Sequence, residues 1–398
     1  MKAYKEHSST HFRPFPSPLS RQLKLPVLPR AEAIYALNSI LPLNSSYRVL
    51  NVVGPEGGEG KTWALRGLQE YCEDNSISYN KSIIDFYDTA HQRVSGVQTS
   101  IIAALDPEGE HFGTYWDRRK KLNELQAQGF GGPALAPLRR ERNYEFLKCL
   151  RTRGQESHRN GKRSIVLFFD TWEIIPEGHV GSWLLDEFLH AAPSIAVVIA
   201  GRPMILPERA GASILIYQPA PFSENEVMEY VRATMDRHNV FDPEVVQRLT
   251  SRVLWASNGL PVLVALALDI IHFSLQNTDV HEPFDWNKVL SVLSGHSRET
   301  IEQDLVKSLL DQLEGTPELL WALLYMAHFR RRFNKDIYAY LRGQPAGSTS
   351  LLESFRELYI VKYRELGSVY RLTHGEPVEV SALLHDRIRE DVLSLIHI

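Results

Sequence analysis

The spacing of apolar residues divides this chain into four stretches. Residues 1–29 show no period, and Pro14, Pro16, Pro18, Pro26 and Pro29 forbid a helix, so an extended arm is expected. Residues 30–218 alternate continuous apolar runs with segments of helical spacing. β-branched content predicts a strand at 48–53 and a second at 81–86, while the apolar runs 164–169 and 195–200 suit strands covered on both faces, as in a parallel sheet. Helical spacing predicts helices over 31–41, 62–72, 96–105, 115–126 and 141–153, with a Gly/Pro/Ala loop at 129–137. Strand and helix in alternation predict a doubly wound α/β domain ending near Tyr217.

The period then becomes helical. Over 219–315, Ser223 and Glu226 form a capping box ahead of a helix at 227–235, and amphipathic helices follow at 242–256, 259–276 and 297–313. An all-helical domain is expected there. Residues 316–398 run helix (319–329), basic turn, helix (335–341), helix (350–358), strand pair, helix. That is the order of a winged helix. Its strands, 359–364 and 368–372, are expected to pair around Leu366-Gly367.

Composition narrows the picture little. The chain has 398 residues, 43% hydrophobic and 23% charged, with a net charge of -4. That balance gives no overall reason to expect nucleic acid or an anionic membrane as partner. Cys72 and Cys149 lack the close spacing of a metal or redox pair and read as core thiols in a reducing compartment. The best apolar run, 262–271, is too short to cross a bilayer and contains Asp269. With no apolar leader before a cleavage site, a cytoplasmic location is expected.

The chemistry concentrates at Gly54-Pro55-Glu56-Gly57-Gly58-Glu59-Gly60-Lys61-Thr62, between a predicted strand and a predicted helix. A polyphosphate needs many backbone N–H groups converging on it, which a glycine-rich turn permits. It gains further from a helix N-terminus, a lysine on the β/γ oxygens and a hydroxyl on magnesium. All are present in order. Gly54, Gly57, Gly58, Glu59, Gly60, Lys61, Thr62 and Trp63 are the candidate nucleotide contacts. One departure from the usual G-x-x-x-x-G-K-[S/T] spacing is that Pro55 takes the first glycine position, which allows a loop one residue longer, starting at Gly54. The competing dinucleotide fingerprint fails because its third small residue would be Trp63.

A phosphate loop also needs an acidic strand end to hold magnesium and orient water. The run 164–169 ends in Asp170-Thr171-Trp172-Glu173. Thr62 and Asp170 are the candidate magnesium residues and Glu173 the candidate general base, the alternative for Glu173 being a solvated carboxylate. The run 195–200 ends in Gly201-Arg202-Pro203, which places Arg202 where it could touch a γ-phosphate, or else lie in a solvent loop.

Taken together these landmarks resemble the signal-transduction ATPases with numerous domains (STAND), relatives of the NACHT and NB-ARC switch proteins within the AAA+ group. Asp170-Thr171-Trp172-Glu173 looks like the family's extended Walker B motif, and Ala200-Gly201-Arg202 is similar to its sensor 1 arginine. Asn258-Gly259-Leu260-Pro261-Val262 matches the helical-domain G-x-P motif, which implies that Pro261 packs on adenine. Leu384-His385-Asp386 looks like the winged-helix Met-His-Asp motif, with Leu384 in the Met position. The resemblance implies an ATP/ADP switch with magnesium. Its ADP form is closed with His385 near the β-phosphate, and its ATP form opens and self-associates. It also implies effector and sensor domains, neither of which is visible in this chain.

Two other functions fit the same residues. A DNA-binding AAA+ ATPase of the origin-recognition kind would use Arg330-Arg331-Arg332, although the expected recognition helix 350–358 sets Glu353 and Glu357 against Arg356. A nucleotide-stabilised scaffold would differ only in whether Glu173 works.

Overall fold

The computed structural model describes residues 30–55, 58–156, 161–175, 178–202, 205, 213–239, 242–276, 339–340, 361–363 and 378–380. The N-terminal arm, Gly57, nearly all of the helices expected beyond residue 297, Arg330-Arg331-Arg332 and His385-Asp386 lie outside the described residues. The chain divides into two compact units, residues 29–56 with 61–219, and residues 1–28 and 57–60 with 220–398.

The first unit is an α/β sheet of the P-loop kind. Its strands are β1 (Tyr47–Val53), β2 (Ser78–Tyr79), β3 (Ile84–Asp85), β4 (Ile165–Asp170), β5 (Ile195–Gly201) and β6 (Ser213–Tyr217). They run in the order β2-β4-β5-β1-β6, with β3 also on β4, and every pairing is parallel. Helices α1 (Ala31–Ile40) and α2 (Lys61–Asp74) precede β2. The crossover from β3 to β4 carries α3 (Val94–Leu105), α4 (Gly113–Ala127) and α5 (Ala136–Glu156). A further helical segment, α6 (residues 179–191), contains a π-helical turn at Trp183–Phe188 and was not evident from the spacing of apolar residues.

The continuous apolar runs follow from burial on both faces. In β4, Ile165, Leu167 and Phe169 join one core cluster with residues of α3, α5 and α6. Val166 and Phe168 join a second cluster with residues of α1 and α2. β5 divides in the same way, Ile195, Val197 and Ile199 against Ala196, Val198 and Ala200. A polar residue inside the sheet is Asn51 of β1, which is fully buried. It donates to the Ile199 carbonyl at 3.1 Å and accepts from the Ile205 N–H at 2.9 Å. Asn80 closes the gap between the two short strands. Its side chain accepts from Phe168 N–H at 2.7 Å and donates to the Phe168 carbonyl at 2.9 Å, which serves β4 as a neighbouring backbone would.

The second unit contains α7 (Glu224–Arg237), α8 (Pro243–Ser257) and α9 (Pro261–Gln276). The expected capping box is formed in full by Ser223 and Glu226. Asp242 caps α8 by accepting from Glu244 and Val245 N–H, and α8 stops at Asn258 in the left-handed conformation. Strands β7 (Val361–Tyr363) and β8 (Val378–Val380) pair antiparallel. The expected partner strand 368–372 lies outside the described residues, and β7, which falls inside the expected strand 359–364, pairs with 378–380. The alternation Val378-Glu379-Val380 supplies that partner with a period of two residues.

Candidate functional site

In the sheet unit the candidate residues leave the C-terminal ends of β1, β4 and β5 or the first turn of α2. Open α/β sheets take ligands at that edge. Because β5 lies between β1 and β4, their tips stand about 10 Å apart, and the first turn of α2 spans the gap. Thr62 Oγ1 donates to Asp170 Oδ2 at 2.7 Å across 108 residues of sequence. Lys61 Nζ donates to the Gly54 carbonyl at 2.7 Å, while Gly54 N–H donates to the Gly201 carbonyl at 3.3 Å. Gly54 is thus held at both of its backbone groups, one residue before the usual start of such a loop.

Asp170 is 8% exposed. Its Oδ1 accepts from the Thr171 N–H at 2.8 Å and its carbonyl from the Phe86 N–H at 3.1 Å. Thr171 adopts the left-handed region, φ 62° and ψ 44°. For a β-branched residue that conformation costs about 1–2 kcal/mol. Offsetting it, the Thr171 hydroxyl donates to Asp85 Oδ1 at 2.7 Å. Trp172 then buries its ring to 2% exposure, edge-on to Phe86 at 6.1 Å. The chain beyond it forms a 3₁₀ turn, Trp172–Ile174, that carries Glu173.

Glu173 and Arg202 meet. The Arg202 Nε lies 3.5 Å from Glu173 Oε1, and the Arg202 N–H donates to Oε2 at 3.1 Å. Gly201 makes the approach possible, since a Cβ there would lie 2.6 Å from the Trp172 Cβ and 3.2 Å from Glu173 Oε2. The arginine expected at a γ-phosphate therefore rests on the candidate base.

The tip of the glycine turn belongs to the second unit. Gly58 has φ +85°, and its carbonyl accepts from Val262 N–H at 3.2 Å. A Cβ at Gly58 would lie 2.3 Å from Val262 Cγ1. Pro261 opens α9, where its missing N–H costs nothing, and its Cγ lies 3.0 Å from where a Cβ of Gly60 would be. Pro261, expected on adenine, packs on Gly60. Glu59 and Trp63 are half-buried.

The oxygen donors suit magnesium. Thr62 and Asp170 offer a hydroxyl and a carboxylate, the hard ligands that Mg²⁺ prefers, and Mg²⁺ habitually takes its remaining positions from phosphate and water. No group of three or more His, Cys, Asp or Glu that could form an all-protein metal cage occurs among the described residues.

Sequence reasoning missed Asp85 and Thr171 as parts of this site. Asp85 carried a signal, an acid inside the apolar run 81–86. Thr171 carried none beyond its place between two acids. Cys72 is a buried free thiol whose pKa burial pushes up to about 12, in keeping with a core role.

No family model and no curated protein matches the chain. Similar solved structures include a Walker-type ATPase of Pyrococcus abyssi, at 14% identity over 90% of this chain and 95% of that one, with a TM-score of 0.40. A signal-transduction ATPase with numerous domains and a tetratricopeptide repeat sensor, from Pyrococcus horikoshii, is similar at 13% identity over 91% of this chain, with a TM-score of 0.48. This chain covers 42% of that protein. The ORC1 protein of Aeropyrum pernix in complex with DNA is similar at 15% identity over 94% of this chain and 95% of that one, with a TM-score of 0.39.

Proposed function

We propose that this chain is an ATP/ADP-binding switch with slow, magnesium-dependent ATP hydrolysis, of the signal-transduction ATPase kind. One observation carries the reading. The lysine and the hydroxyl of a glycine turn reach, respectively, the loop's own first carbonyl and the acid at the tip of a strand that is not its neighbour. That geometry gathers a cation, a hydroxyl, a carboxylate and a helix N-terminus at one strand edge, which is what a nucleotide polyphosphate requires.

In this reading Lys61 leaves the Gly54 carbonyl for the β/γ oxygens. Thr62 and Asp170 would hold the magnesium. Bound magnesium would neutralise phosphate charge. Glu173 accepts the proton of the attacking water once Arg202 has moved from it to the γ-phosphate. Pro261 would shield the base and His385 would mark the ADP state, as the sequence resemblance implies. Self-association in the ATP state, and sensor and effector partners, belong to the same reading.

Calorimetric titration with ATP and ADP, each with magnesium or with EDTA, tests it. Saturable binding strengthened by magnesium is expected. Absence of binding to either nucleotide sinks the proposal.

A DNA-binding ATPase is the second reading. The observation favouring it is the α4–α5 pair, where residues 113–156 carry ten Lys and Arg against five Asp and Glu. Lys120, Lys121, Arg139 and Arg140 are exposed or half-exposed there. Salt-dependent retention on duplex DNA, abolished by reversing those four charges, would move the assignment to it.

A further inference from the structure

We propose that Asp85 and Thr171 are a positioning pair for the magnesium site, holding the Asp170 carboxylate in the orientation that faces Thr62. This rests on the magnesium reading above.

Asp85 ends β3 directly opposite Asp170 in the parallel register of β3 and β4. Two adjacent strand tips each bearing an acid would repel if both carboxylates pointed at the same ligand. They are separated instead. Asp85 Oδ1 turns to the Thr171 hydroxyl at 2.7 Å and also accepts from the Tyr87 N–H at 2.8 Å. The Asp85 carbonyl accepts from His91 Nδ1 at 2.8 Å, and His91 Nε2 lies 2.8 Å from the Ser100 hydroxyl of α3. β3 is thus tied to the helix that follows it, and Asp85 is a fixed post.

Thr171 hangs on that post in a conformation a threonine rarely adopts. Its N–H is thereby aimed back at Asp170 Oδ1, leaving Oδ2 for Thr62. A glycine would take the left-handed conformation without strain, but it has no hydroxyl for Asp85 to grip. The threonine hydroxyl is the part that matters. Groups behind a metal ligand commonly act in this way, fixing its rotamer without touching the ion.

The experiment measures the magnesium concentration that gives half-maximal strengthening of a fluorescent ADP analogue's binding to the full chain. Binding in EDTA and the melting temperature are followed beside it. Thr171→Gly and Asp85→Ala should raise that concentration about tenfold or more, with binding in EDTA unchanged. Thr171→Ser and Asp85→Asn, which keep a hydroxyl donor and an oxygen acceptor, should stay near the parental requirement. Because Thr171→Gly relieves the backbone, its melting temperature should not fall, which separates positioning from folding. A parental magnesium requirement in Thr171→Gly would overturn the pair. If the parental protein shows no magnesium effect, the magnesium reading fails first, and the pair with it.

Discussion

Glu173 and Arg202 hold each other across the ends of β4 and β5, with both the guanidinium and the backbone N–H of the arginine on one carboxylate. A carboxylate so engaged has both oxygens turned to the arginine and away from an attacking water. Glu173→Gln should keep nucleotide binding and lose turnover, because an amide cannot accept the proton of water. Arg202→Ala should remove the guanidinium's share of the restraint on Glu173, leaving the backbone N–H in place, together with the arginine's proposed reach to the γ-phosphate. Steady-state phosphate release decides between them. Faster release in Arg202→Ala means restraint dominates, and slower release means the phosphate interaction does. Parental turnover in Glu173→Gln would place the base elsewhere.

Lys61 supplies the only side-chain cation within the stretch 54–62. Lys61→Ala should weaken ATP and ADP binding by about 2–4 kcal/mol, the range for removing one charge-assisted hydrogen bond while backbone donors remain. Calorimetry reads this directly. Equal affinities for parent and variant would remove the glycine turn from the site.

Gly58 meets Val262 with no room for a side chain. Gly58→Ala should destabilise the protein by about 2–4 kcal/mol, from the positive φ and from overpacking together. Adding Val262→Ala should return the overpacking part and leave the backbone part. Chemical denaturation of Gly58→Ala, Val262→Ala and the double variant measures the coupling, and strict additivity would show that the two residues do not touch.

Asp106, 6% exposed at the end of α3, accepts from the N–H groups of Glu110, His111 and Phe112. Burial pushes its pKa up, but those three donors outweigh it and hold the group below its ordinary 3.8. A carboxyl lowered in the fold stabilises above its unfolded value, and that stabilisation fades as pH falls through the folded value. Asp106→Asn should therefore cost about 1–3 kcal/mol at pH 7. The difference in melting temperature from the parent should close as the solution is taken below about pH 4. A gap that stays constant on further acidification would assign the effect to shape instead of charge.

Much of the sheet was legible because its signal is local. Ile165–Phe169 of β4 and Ile195–Ala200 of β5 are apolar at every position, as suits strands covered on both faces. The glycine turn was legible for a similar reason, since its glycines, Lys61 and Thr62 lie close together in sequence. What stayed hidden depends on partners far away in sequence. β2 is two residues, too short for a period, and the strand expected at 81–86 shortens to Ile84–Asp85, with Asn80 bonded through its side chain to Phe168. The π turn in α6 breaks the spacing on which recognition of a helix relies. Asp85 stands out in sequence as an acid beside Ile83 and Ile84, but its place opposite Asp170 comes from a strand 85 residues away.

The place of β1 in the sheet bears on how the chain is made. It is the first strand of the sheet to leave the ribosome, yet both of its neighbours, β5 and β6, are the last to follow. Asn51 waits for Ile199, 148 residues later. At about 5–20 residues per second that interval is about 7–30 seconds, during which both edges of an apolar strand offer unpaired N–H and C=O groups to any other nascent chain. α1 and α2 can cover one face of β1 early, since they flank it in sequence, but neither can satisfy its edges. Synthesis arrested between β4 and β5 should accordingly leave a chain that chaperones retain and that precipitates on release, whereas arrest after Tyr217 should leave one that closes its sheet.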